Sequence, residues 1–164
     1  MNLLRKSFGK KYRGGTTLIE VLVVVVIVMI IAGIVFLSFS SFRYGQALPN
    51  DVDEVTALLN EARSRTISAD AGAQYGVHFD ADKAVLFVGN TYTVGAAGNK
   101  QVIVNPMIQI TSVFLNGGGT NVVFDKLTGE TSQYGTLVEK YNDGSVNPPH
   151  KTITISKTGL VSSD

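Results

Sequence analysis

From Val21 to Phe42 the chain has no charged residue, and the opening of that run, VLVVVVIVMIIAGIVFL, is unbroken in apolar character. At a rise of about 1.5 Å per residue, a helix over this stretch covers roughly 33 Å, against roughly 30 Å of bilayer hydrocarbon. The β-branched residues are dense enough to suggest a strand. A strand of this length is outside the usual range, however, and hydrocarbon accommodates only segments that satisfy their own backbone. The run therefore predicts a membrane-spanning helix. Upstream, Arg5, Lys6, Lys10, Lys11 and Arg13 are opposed by no acid. Such a leader predicts a cytoplasmic N-terminus, with everything after about Ser41 exported.

Composition narrows the remaining options. The chain carries 14 Lys plus Arg and 13 Asp plus Glu. Removing the five leader cations leaves 9 against 13, a balance of −4 beyond residue 15, so general nucleic-acid binding is disfavoured. With no cysteine there are no disulfides, thiolate nucleophiles or cysteine-ligated zinc.

Glu20 stands at the start of the apolar run between Ile19 and Val21. A carboxylate at the centre of a membrane helix costs about 2.5 to 3.5 kcal/mol on insertion scales, less near the interface and less again beside a cation. A partner for Glu20 is implied. Its neighbours read Gly14-Gly15-Thr16-Thr17-Leu18-Ile19-Glu20, after a basic leader and before an apolar helix. In that fixed order the segment resembles the class III signal of type IV pilins and type II secretion pseudopilins. The resemblance implies cleavage by prepilin peptidase between Gly15 and Thr16, which makes Glu20 the fifth mature residue; a cut after Gly14 would make it the sixth. It also implies methylation of the new amino group on Thr16, although this chain has threonine where phenylalanine is usual. Glu20 would then set assembly register, its carboxylate meeting the amino group of a neighbouring subunit so that neither charge is buried alone.

Two other readings compete for this segment. A secretory signal peptide would end at a small-x-small site such as Ser38-Phe39-Ser40, but the apolar run is longer than such signals use. A plain uncleaved anchor on a monomeric extracytoplasmic binding domain accounts for length and orientation, and leaves Glu20 and the Gly-Gly step unexplained.

Beyond the run, Ser38 to Ser41 and Tyr44-Gly45 loosen the pattern. Pro49 interrupts it before the capping residues Asn50 and Asp51, where a second helical segment is expected to begin, the two forming one long stem helix with room for a kink between them. Val52, Val55, Leu59, Ala62, Thr66 and Ala69 recur at helical spacing, with Asp53, Glu54, Glu61, Arg63 and Arg65 on other faces. The stem is expected to end near Ala71-Gly72. After it, alternation with period two predicts at least six strands, over 74–79, 84–88, 101–104, 108–115, 121–124 and 152–156, before a turn at Lys157-Thr158-Gly159 into Leu160-Val161. The divisions expected are a leader at 1–15, a hydrophobic transmembrane and filament-core helix at 16–42, an amphipathic stem at 43–71 and an antiparallel β domain at 72–164.

Three strings, Leu59 to Ile67 (LNEARSRTI), Phe124 to Gly129 (FDKLTG) and Ile153 to Gly159 (ITISKTG), are similar to those of H-type minor pseudopilins and related minor pilins. That likeness implies an α+β fold, a long N-terminal helix packed on an antiparallel β domain. It also implies a minor filament subunit whose partners are other pilin or pseudopilin subunits, prepilin peptidase, an inner-membrane assembly platform and, before assembly, membrane lipid. Whether the filament is a pilus, a competence pilus or a secretion pseudopilus stays open.

No catalytic device is legible. His78 and His150 lack a second ligand at useful spacing, and a metal site needs several convergent ligands. Asp80, Asp82, Asp125 and Asp143 suit turns better than calcium. Gly117-Gly118-Gly119 reads as a loop, and Arg63 and Arg65 beside Glu61 read as a solvated helix face. No cofactor or metal is expected, and the role is assembly rather than catalysis.

Overall fold

The computed structural model describes residues 17–164, apart from the side chains of residues 36–44. The chain divides into two compact units, Met1–Ser41 and Phe42–Asp164. Helix α1, Leu18–Ile67, contributes to both.

In the first unit, Leu18–Val35 is long and apolar enough to cross a membrane, and none of it is buried. In the second, α1 continues through Pro49, so the stem is the one long helix expected, without a fresh start at Asn50. Proline removes one backbone hydrogen bond and crowds the carbonyl four residues back, here Gly45. Leu48, Val52, Val55, Leu59 and Ala62, all buried, supply the packing that carries the helix across that defect. Asp51, expected as a cap, lies inside the helix, where its Oδ2 accepts a hydrogen bond from the Asn105 N–H at 2.8 Å.

The helix stops at Ile67, earlier than expected. Ala69 takes a left-handed conformation with φ 53°, and a 3-10 turn follows at Asp70–Gly72. The buried Thr66 hydroxyl donates to the Ala62 carbonyl at 2.8 Å and accepts the Tyr75 N–H at 2.9 Å, joining the last helical turn to the first strand.

Eight strands follow: β1 (Tyr75–Phe79), β2 (Lys83–Val88), β3 (Lys100–Ile103), β4 (Ile108–Leu115), β5 (Asn121–Val123), β6 (Gly135–Tyr141), β7 (His150–Ile155) and β8 (Val161–Ser163). They form two antiparallel four-stranded sheets, ordered β3-β2-β1-β5 and β4-β6-β7-β8. Strand β6 is absent from the strands that alternation predicts, yet it lies between β4 and β7. The helix stripe shares one core with Val77, Phe79, Leu86 and Phe124 on the side of the first sheet and with Ile110, Leu137, Ile153 and Ile155 from the second. A register shift in β4 between Ile110 and Ser112 resets its alternation, so that Ile108 and Ile110 before it and Leu115 after it belong to the core, with Val113 packed against it.

The opposite face of the first sheet has its own packing. Gly76 has no side chain because the Phe87 ring occupies that space: a Cβ there would lie 2.6 Å from the ring and 2.7 Å from the Val122 carbonyl oxygen. Tyr92 stacks on His78 at 3.9 Å between centroids and lies 5.7 Å from Phe87.

Candidate functional site: the amino-terminal stem

The expected cleavage residues Gly15 and Thr16 lie outside the described residues, as does the side chain of Phe42. Glu20 and Val21 are described, both exposed in the first turns of α1. Thr17 precedes the helix, and its Oγ1 accepts the Glu20 N–H at 3.3 Å, while its carbonyl accepts the same N–H at 3.0 Å. This is the threonine half of a capping box, Thr-x-x-Glu, which satisfies a donor that the helix leaves without an internal partner. Thr17 is therefore a site residue that the leader-and-anchor pattern does not single out, although the three-residue step from Thr17 to Glu20 is visible in the sequence. A carboxylate in the first turn is also favoured by the helix dipole. Glu20 is the one charged residue between Leu18 and Val35. Behind it runs an exposed apolar surface including Leu18, Ile19, Ile27, Met29 and Ile34.

The second unit brings together polar residues that sequence spacing does not connect. Arg63, expected on a solvated face, instead points its Nε–H at the Gly129 carbonyl at 3.1 Å and its Nη2 at the Thr158 carbonyl at 3.4 Å. Gly159 has φ +75°, and a Cβ on it would fall 1.9 Å from the Gly129 oxygen and 2.9 Å from the Arg63 Nε. The three strings singled out by resemblance thus meet at one guanidinium. Glu61 bonds Lys100 at 2.6 Å and Arg65 at 2.7 Å, and the Lys100 hydrogen bond is the chief cause holding its carboxyl below the usual range. The hydrogen bond from Ser145 does the same for Asp143.

His78 is held from both sides: Nδ1 lies 2.6 Å from Asn121 Oδ1, and Nε2 lies 3.2 Å from Asp80 Oδ1. Asp80 also faces Lys83 at 3.5 Å. With Tyr92 stacked on its ring, His78 is a packing and hydrogen-bonding residue of the sheet. His150 is exposed, with Nδ1 3.4 Å from the Pro148 carbonyl. Among the described residues no three His, Cys, Asp or Glu side chains converge as a metal would need.

Two buried carboxyls stand apart. Glu139 of β6 is fully buried, and among the described residues neither oxygen has a hydrogen-bond partner. Burial, with a smaller contribution from Asp51, pushes its carboxyl up to about 8. Asp51 is also raised by burial, opposed by the hydrogen bond from Asn105 and reinforced by Glu54. An apolar cleft of about 780 Å³ opens nearby, lined by Leu48, Pro49, Met107, Tyr141 and Pro149 among others.

Residues 10–36 match the family model described as the prokaryotic N-terminal methylation motif. The fold is similar to that of the type IV minor pilin FimU of Pseudomonas aeruginosa, with a TM-score of 0.52 and 13% identity over 71% of this chain and 92% of that one. A search of curated proteins returns no match. The chain thus carries a prokaryotic N-terminal methylation motif on an α+β fold similar to that of a type IV minor pilin.

Proposed function

We propose that this protein is a structural subunit, of the minor kind, of a type IV pilus. It is made as a single-pass membrane precursor, cut after Gly15 by prepilin peptidase, and assembled through the helix that begins at Leu18. The observation that carries this reading is the wholly exposed apolar helix Leu18–Val35 with a single carboxylate in its first turn, inside the span that matches the methylation motif. Such a surface is stable in lipid or against other apolar helices, and not in water. The basic leader favours a cytoplasmic N-terminus and an exported β domain. Cleavage frees the amino group of Thr16, where the same peptidase adds a methyl group. In a staggered bundle of stems the Glu20 carboxylate meets that amino group on the neighbouring subunit, and a misaligned subunit leaves two costly charges unpaired. Other pilin subunits, the peptidase and an inner-membrane platform are the partners. Likeness to a minor pilin favours a pilus over a secretion pseudopilus, and a pilin-type motif and fold support a structural role rather than catalysis.

The Thr17 cap favours a second reading of Glu20, as a capping residue only. Substitution separates the two, because glutamine can complete a capping box but carries no charge. In the native host, Glu20→Gln and Glu20→Ala should both reach the membrane and be cleaved, and both should be depleted from sheared filaments. Normal incorporation of Glu20→Gln with loss of Glu20→Ala would reduce Glu20 to a cap. Normal incorporation of both would refute the register role.

A further inference from the structure

A carboxylate buried without a hydrogen bond is among the costliest groups a fold can hold, whereas the protonated acid is tolerated at a fraction of that cost. Glu139 sits on the central strand β6, in the same phase as the core residue Leu137, with both oxygens unpartnered. Among the described residues, the groups around it offer no compensating cation. From α1 come Asp51, buried and fixed by the Asn105 N–H, and Glu54 beside it. From β4, Ile110 stands opposite Glu139 in the register, and the neighbouring core residue is Ile108. From β7, Lys151 stands opposite Glu139, but its Nζ donates to the Asp164 carbonyl. Along β6 the next residue of the same phase is Tyr141, whose hydroxyl lies 3.4 Å from the Leu48 amide of α1. Two acids therefore act on each other across the packing between α1 and the second sheet, and each added negative charge there is opposed by burial and by the other acid.

We propose that Glu139 is a proton-operated latch: its neutral acid lets β6 pack against α1 around Asp51, and loss of that proton loosens this contact. The inference is independent of the filament reading. The sign follows from linkage. Glu139 binds its proton more tightly folded than unfolded, so the stability it permits is fully present below the ordinary carboxyl value of 4.5, falls as pH rises, and is gone above about 8.

The test uses the full chain in detergent micelles. Amide exchange of residues 135–141 and 47–59, corrected for intrinsic rates, should show local opening that rises roughly tenfold per pH unit between pH 5 and 8, and Glu139→Gln should abolish that slope. Infrared spectra of the wild type should show a protonated carboxyl band at pH 7 that Glu139→Gln removes. Asp51→Asn, by removing the facing charge, should move the end of the exchange transition to lower pH. If Glu139→Gln does not fold, the wild-type band and the Asp51→Asn shift decide the matter. Absence of the band at pH 7, an unchanged slope in Glu139→Gln, or no shift in Asp51→Asn would overturn the latch.

Discussion

Arg63 reaches from the helix to the carbonyls of two separate loops, and Gly129 and Gly159 clear the space it needs. Hydrogen bonds from a charged donor contribute about 1.5 to 3 kcal/mol each when shielded and less near solvent. Arg63→Ala should therefore destabilise the protein by about 2 kcal/mol. Arg63→Lys should recover only part of that loss, because a lysine amine cannot present the guanidinium fork. Gly159→Ala should cost at least as much, since the new Cβ would meet the Gly129 oxygen while the backbone keeps a left-handed φ. Thermal unfolding of the three variants checks the order; a neutral Gly159→Ala would show that the two loops are not locked together. Helical periodicity places Arg63 off the apolar stripe correctly, but it cannot tell water from a loop that folds back. The same blindness hides the joining role of Thr66 and the capping role of Thr17, although each contact is made by a side chain of the expected type.

Strands are most legible where apolar residues are dense and turn residues bound them. Strands β1, β2, β3, β4, β5 and β7 lie within a residue or two of the segments predicted for them. Strand β6 escapes because its inward phase is mixed: Glu139 lies between Leu137 and Tyr141 where an apolar residue is expected, while Val138 occupies the opposite phase. A polar residue on the inward phase erases the periodic signal at the very strand that joins β4 to β7. Pro49 misleads in the other direction, since proline argues for a break that the flanking core residues override. That override carries a cost. Pro49→Ala restores a donor to the helix interior and should stabilise the second unit by about 1 to 3 kcal/mol, slightly offset by lost contact at the apolar cleft. Slower amide exchange across residues 45–53 would register it, and unchanged exchange would place the helix's weak point elsewhere.

At the scale of the whole molecule, the two units obey opposite rules of burial. The described side chains of the first unit bury nothing, and the second encloses a core shared by one helix and two sheets. A chain with that division is incomplete in water until its apolar helix is covered, first by lipid and then, if the chain is a filament subunit, by other stems. Length, charge and apolar content make this part of the molecule readable from sequence, because a charge-free run long enough to span a bilayer has few alternatives. A filament role stands or falls with processing of the leader. Mass spectrometry of the intact protein and its N-terminal peptide, extracted from membranes of its own host, tests that step most directly. The expected result is a mature chain beginning at Thr16, with or without one added methyl group. A chain beginning at Met1, or after Ser40, would contradict the filament role and leave an uncleaved anchor or a secreted domain in its place.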